Sequence, residues 1–167
     1  MSSGKELFAK GHLVLTFIRG LYLLVEDDVR QNVKNYNITH TSFRTLWILY
    51  FDESMNMTEL AYISQTDISN IYRQLVKLKE QNLVLIATGK DARVKEVSLT
   101  ENGREFVQDV LSKNVKVTNL SFISSLAKIP QEDLDKFIEV ASILCSELIG
   151  QRFIDWAIQA ANKIREN

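Results

Sequence analysis

A single proline, Pro130, stands in 167 residues, and glycine occurs only six times. A chain so poor in breakers cannot supply the frequent tight turns of an all-β sandwich, which leaves long helices as the alternative. The apolar spacing agrees. Leu7, Phe8, Leu13, Val14, Phe17, Ile18, Leu21, Leu24, Val25, Val29 and Val33 recur at helical intervals and predict one long first helix. Its apolar stripe is wider than a helix lying on a small domain needs, so part of it is expected to meet another chain. The most apolar stretch, His12 to Val25, is short for a membrane span. It carries Arg19 and runs straight into Glu26-Asp27-Asp28, so a buried helix is expected instead.

Asn35 and Asn37 end that helix, and Thr39 is placed to cap a second one carrying Phe43, Leu46, Trp47, Leu49 and Tyr50. Asn56 followed by Glu59 has capping-box spacing and opens a short helix through Leu60, Ala61 and Ile63. After the polar break Ser64-Gln65-Thr66-Asp67, Thr66 is a candidate N-cap and Asp67 suits a first turn. The helix that follows is expected to bury Ile68, Ile71, Leu75 and Leu78. At Asn82 the period changes from helical to alternating. Val84 to Ala87 and Val94 to Leu99 read as paired strands around a turn at Thr88-Gly89-Lys90-Asp91, with Val97 and Leu99 facing inward. Thr100 then caps a helix whose apolar positions run from Phe106 to Ile123. Pro130 marks the start of a last helix, kinked at Gly150, that extends past Trp156 to Ile164.

Three helices closed by a hairpin make a winged helix. The expected fold is therefore mainly α with a small β-hairpin wing, a winged helix-turn-helix with N- and C-terminal dimerisation helices. The expected divisions are 1–35 for an N-terminal dimerisation helix, 36–103 for a DNA-binding lobe and 104–167 for C-terminal dimerisation helices.

Composition narrows the function. With 46% hydrophobic and 25% charged residues the chain has the material for a core, and a net charge of −1 excludes a wholly basic nucleic-acid coat while allowing a local basic face. The lone Cys145 excludes an intramolecular disulfide and a multi-cysteine metal site. It falls on the apolar side of its helix, where a small hydrophobe packs, and it fits a reducing compartment. Met-Ser-Ser-Gly-Lys-Glu lacks a signal-peptide layout, so a cytoplasmic location is expected. His12 and His40 stand far apart with no companion ligands, so no metal is expected, and no cofactor. No nucleophile triad, phosphate loop or carboxylate pair can be assembled, which leaves an enzyme reading without support.

The run Asp91-Ala92-Arg93 followed by Leu99-Thr100-Glu101-Asn102-Gly103 resembles the wing signature of MarR-family regulators, Asp-x-Arg, a strand, then Leu-Thr-x-x-Gly. Thr58-Glu59-Leu60-Ala61 resembles the first helix of that family's helix-turn-helix, and Asp67 to Val84 its recognition helix and strand entry. Leu46-Trp47-Ile48-Leu49-Tyr50 and Ile149-Gly150-Gln151-Arg152-Phe153 look similar to the Hpr-type members. Two positions depart from the pattern. Ala92 stands where many members carry a second arginine, which removes one phosphate contact. Asn82 replaces a frequent glycine, and asparagine tolerates the left-handed cap needed there. The resemblance implies a homodimer on duplex DNA, with any small-molecule effector bound between the dimer and DNA lobes.

The residues support the same direction independently. A helix in the major groove needs short polar side chains near its N-terminus and longer donors further on. Ser69 and Asn70 come first, then Arg73, then Lys77. The candidate DNA contacts are thus Thr66, Ser69, Asn70, Arg73, Gln74 and Lys77 on the helix, with Lys90, Asp91, Arg93 and Lys95 on the hairpin. Arg93 is expected in a minor groove, and Asp91 is expected to brace the turn or Arg93. From Thr66 to Lys95 six bases face three acids, a local +3, whereas from Pro130 to Asn167 four bases face seven acids, −3. A solvated helix face is the plain alternative for such charges. A winged helix that docks only proteins is the alternative function. The expected function is a sequence-specific transcriptional regulator, a repressor by default, acting as a homodimer on a pseudo-palindromic operator.

Overall fold

Helix α1, Gly4–Val33, begins where the Ser3 hydroxyl accepts from the Glu6 amide at 3.3 Å. In the computed structural model, which describes residues 3–89, 94–117 and 120–166, it runs for 30 residues, about 45 Å at 1.5 Å per residue. Residues 4–24 are exposed throughout, and only Val33 at the far end is buried. By length and composition α1 is long and apolar enough to cross a membrane, which corrects the expectation that its apolar stretch is too short. The apolar run belongs to a helix that continues well beyond it on both sides. The core helix of a soluble protein meets the same test.

A 3-10 turn over Lys34–Tyr36 and left-handed Asn37 (φ 56°) end α1. Helix α2, His40–Tyr50, starts under Thr39, whose hydroxyl accepts from the Ser42 amide at 3.1 Å. Strand β1, Met55–Asn56, leads into α3, Met57–Ser64, capped by Asn56 on the Glu59 amide at 2.9 Å. Left-handed Gln65 (φ 52°) ends α3, and α4, Ile68–Glu80, follows. Its N-cap is Asp67, not Thr66: Gln65 already turns the chain, so the first extended residue before the helix is Asp67, whose carboxylate accepts from the Asn70 amide at 2.7 Å. Strands β2, Val84–Thr88, and β3, Lys95–Leu99, form the antiparallel hairpin, with Val84 opposite Leu99 and Thr88 opposite Lys95. Strand β1 adds to the other edge of β3 through Met55 and Val97. Two residues carry no alternation to read, so β1 left no mark in the pattern.

Left-handed Asn82 (φ 56°) turns the chain from α4 into β2, as its sequence position predicts. The Leu-Thr-x-x-Gly run then does three jobs. Leu99 is buried, and the Thr100 hydroxyl donates to the Asn82 carbonyl at 2.7 Å while accepting from the Gly103 amide at 3.0 Å. A Cβ on Gly103 would lie 2.0 Å from the Leu83 carbonyl oxygen, so only glycine lets α5, Glu101–Val117, start this close to the strand entry. The core of the lobe is Leu46 and Leu49 of α2, Leu60 and Ile63 of α3, Ile71, Leu75 and Leu78 of α4, and Val84 and Val97 of the sheet.

The C-terminal part departs from the two long helices expected. After α5 a separate short helix, α6, Ser121–Leu126, begins. Asp28 of α1 accepts from the Ser121 hydroxyl at 2.7 Å and the Phe122 amide at 3.4 Å, so a distant carboxylate serves where no local cap does. Helix α7, Gln131–Leu148, and helix α8, Gln151–Glu166, meet at Gly150, whose φ of +127° breaks the chain outright instead of kinking it. Past Gly150, within the segment assigned to dimerisation, the apolar row meets its own lobe: Phe153 and Trp156 pack on the lobe core, Ala160 is buried, and the Lys163 ammonium donates to the Phe51 carbonyl at 2.6 Å. Helix α7 buries no residue.

Candidate nucleic-acid interface

Helix α4 lies across the lobe with one face in the core and the opposite face in solvent. Ile71, Leu75 and Leu78 anchor it. Ser69, Arg73 and Lys77, spaced four apart, form one exposed row. At the N-terminal turn the polar groups are tied together. The Asn70 amide donates to Thr66 Oγ1 and to Asp67 Oδ2, each at 3.2 Å, and its carbonyl oxygen accepts from Arg73 Nη2 at 2.6 Å. Asn70 thereby holds the guanidinium toward the front of the helix, a positioning role beside the base contact expected of it. Gln74 is half-buried and accepts from the Ser42 hydroxyl at 2.5 Å, which fastens α4 to α2 and draws that amide away from the outer face.

On the hairpin, Lys95 is exposed on β3. The Gly89 amide donates to the Val94 carbonyl at 2.8 Å, closing the ladder. Lys90, Asp91 and Arg93, the remaining candidate contacts, lie outside the described residues, as does Ala92. Between α4 and the hairpin runs a groove of about 510 Å³ bordered by Tyr72, Val76, Lys79, Ile86, Thr88 and Lys95.

One feature of this face contradicts the sequence expectation. Ile68, expected in the core, is 48% exposed, and Tyr72, one turn on, is 56% exposed, with Val76 continuing the row. Ile68 is the first residue of α4 and sits before the helix reaches its packing against α2 and α3, so helical spacing alone assigned it to the wrong face. An apolar row four residues apart on an otherwise polar face was the available signal.

A second cavity, of about 700 Å³, opens between α1, α2, α5 and α6. Its walls are mostly apolar, with Val29, Phe43, Trp47 and Val110 among them, and its polar groups are Tyr22, Glu26, Asn32, His40 and Arg44. The Tyr22 hydroxyl donates to Glu26 Oε1 at 2.6 Å, and His40 Nε2 stands 3.1 Å from the same oxygen. The Tyr22 hydrogen bond, and after it the neighbouring His40, hold the Glu26 carboxyl below the usual carboxylate range. The same bond to Glu26 pushes the Tyr22 phenol up. Among the described residues no cluster of three or more His, Cys, Asp or Glu side chains is arranged to hold a metal ion.

Three helices, with an exposed cation-bearing third helix set beside a β-hairpin, define a winged helix-turn-helix protein. Residues 38–85 match the sequence profile described as MarR family. Over 98% of its length the chain is 24% identical to the HTH-type transcriptional regulator Hpr of Geobacillus thermodenitrificans, covering 82% of that protein. AbsC, a MarR family transcriptional regulator from Streptomyces coelicolor, is similar with a TM-score of 0.69 at 22% identity, over 90% of this chain and 99% of its own. S. aureus MepR, solved as a DNA complex, is similar with a TM-score of 0.67 at 18% identity, over 80% and 96% respectively.

Proposed function

We propose that this chain is a transcriptional regulator that binds duplex DNA sequence-specifically, inserting α4 into the major groove. The observation that carries this reading is the exposed Ser69–Arg73–Lys77 row beside Lys95 of the hairpin, on a lobe similar in fold to MepR, which was solved as a DNA complex. Short polar groups lead and long donors follow, which is the order a groove-bound helix requires. The exposed apolar faces of α1 and α7 support a homodimer, because apolar surface on that scale marks an interface. A symmetric dimer would favour a pseudo-palindromic operator, and repression by blocking polymerase is the simplest outcome. Arg93 in the minor groove, with the wing as a second contact, belongs to the same proposal, as does action in the cytoplasm. The cavity between α1, α2 and α5 is where a small effector would bias the angle between arms and lobe.

The test is binding of the full chain to duplexes selected from a random library, measured across a salt series. DNA binding is expected to weaken steeply with salt, since each neutralised phosphate releases counterions. Arg73→Ala is expected to cost about 1–3 kcal/mol per half-site and to relax sequence preference. Lys77→Ala should weaken all duplexes alike and lower the salt slope by about one. Salt-independent association, or none, would instead favour a winged helix used only to dock proteins.

A further inference from the structure

The DNA-reading face of α4 carries an apolar row that nothing in the fold covers to the extent of its neighbours. Ile68 and Tyr72 are about half exposed, and Val76 extends the row beside the groove formed with Ile86 of β2. The row lies one residue step, about 100° of helix rotation, from the Ser69–Arg73–Lys77 row. Both rows begin in the first turn of α4, the part of a recognition helix that comes nearest the bases. Among the described residues, a protein partner would meet Arg73, Lys77, Lys79 and Lys95 around this row against Asp67 and Glu80, a surround that favours a polyanion.

Within the major groove of duplex DNA the one methyl group on a base edge is the thymine C5-methyl. Apart from ring C–H groups, which offer little surface to pack against, the other edge groups are donors or acceptors, and an isoleucine set against one would strip its water and return no hydrogen bond. We infer that Ile68 and Tyr72 select thymine, packing its methyl group between them while Arg73 and Ser69 read neighbouring edges. The inference rests on the DNA-binding reading above. It adds to that reading a base identity and the two side chains that impose it. Tyr72 acts here through its ring, so the hydroxyl is dispensable.

The experiment replaces thymidine by deoxyuridine, one position at a time, in a duplex selected by the full-length chain from a random library. This removes a methyl group and leaves every hydrogen-bonding atom in place. Wild type is expected to lose about fourfold in affinity per recognised methyl, which corresponds to about 0.8 kcal/mol, at one or two positions in each half-site. Ile68→Ala and Tyr72→Ala are expected to bind the thymidine duplex more weakly and to treat thymidine and deoxyuridine alike. Tyr72→Phe should keep the discrimination. Both positions are exposed, so thermal melting of the variants should match wild type. Tight binding that is indifferent to deoxyuridine at every position overturns this inference and leaves DNA binding standing. Undiminished uracil sensitivity in both alanine variants also overturns it. Failure to select or bind any duplex overturns the DNA-binding reading and takes this inference with it.

Discussion

The winged lobe and the arms are built from similar proportions of apolar residues, yet they dispose of them in opposite ways. In the lobe, Leu46, Leu60, Ile71, Leu75 and Val97 are essentially without solvent contact. In α1, Phe8, Phe17 and Leu21 remain largely in solvent, as do Phe137, Ile138 and Leu148 in α7. The lobe closes its core with contacts between near neighbours in sequence, helix on helix and hairpin on helix. The outer part of α1 stays exposed and α7 buries no residue, although Val33 of α1 and Phe153 and Trp156 of α8 join the lobe core. A helix of 30 residues outreaches the lobe it springs from, so the single chain cannot cover its outer two-thirds. Burial is thereby divided between different parts of the molecule: the lobe closes a core, and α1 and α7 keep apolar surface in solvent, which the proposed dimer would cover.

The sharpest way to break this comparison is to remove apolar volume from each region. Leu75→Ala in the lobe is expected to cost about 2–5 kcal/mol in chemical denaturation, the range for a buried leucine that leaves a cavity. Phe17→Glu in α1 should leave amide-exchange protection in α4 and β3 unchanged while shifting sedimentation from dimer to monomer at micromolar concentration. Lobe amides that lose protection with Phe17→Glu would show that folding and association are one process. A wild-type monomer would remove the dimer altogether.

The junction of helix and wing offers an intermediate effect. Gly103→Ala places a methyl group against the Leu83 carbonyl, which must move because it is backbone. Overpacking of this kind costs about 1–3 kcal/mol and sometimes more. Its readout is the melting temperature, together with weaker DNA binding because the hairpin shifts relative to α4. Unchanged melting would mean that the lobe is looser at this junction than its packing implies.

The smallest effect is expected where arm meets lobe, at the Glu26–Tyr22–His40 contact. A carboxyl held below its ordinary value of 4.5 stabilises the folded state above that pH, and the contribution is lost as the pH falls through the folded value. Wild type should therefore lose more melting temperature than Glu26→Gln between about pH 5 and pH 3. The difference should stay below about 1 kcal/mol, because solvent reaches the pair and screens it. Parallel acid profiles in the two proteins would mean that this contact adds nothing to the arm–lobe joint.

Local signals accounted for most of the lobe. Thr39, Asn56 and Thr100 cap the helices expected of them, because a cap is a bond from a side chain to an amide a few residues away and can be read from order alone. Asn82 adopts its left-handed turn for the same local reason, and Val97 and Leu99 face inward because alternation in a strand fixes the face. The polar row Ser69, Arg73 and Lys77 was legible from helical spacing, and Lys95 from the returning strand. What the spacing could not state is which neighbour each face would meet. Ile68 has core spacing and lies in solvent, whereas Gln74 has surface spacing and bonds Ser42 of α2. Asp28 caps a helix more than ninety residues away, and α8 folds back so that Phe153 and Trp156 cover their own lobe. Each of these depends on where two distant segments cross. Periodicity and caps are properties of a few consecutive residues, and so the sequence by itself determined the helices of the lobe, the hairpin and the exposed polar row on α4. The crossing of segments is decided by the burial of the whole chain at once, and only the tertiary structure could show the exposed apolar row on α4, the cavity beneath α1 and the arms left uncovered.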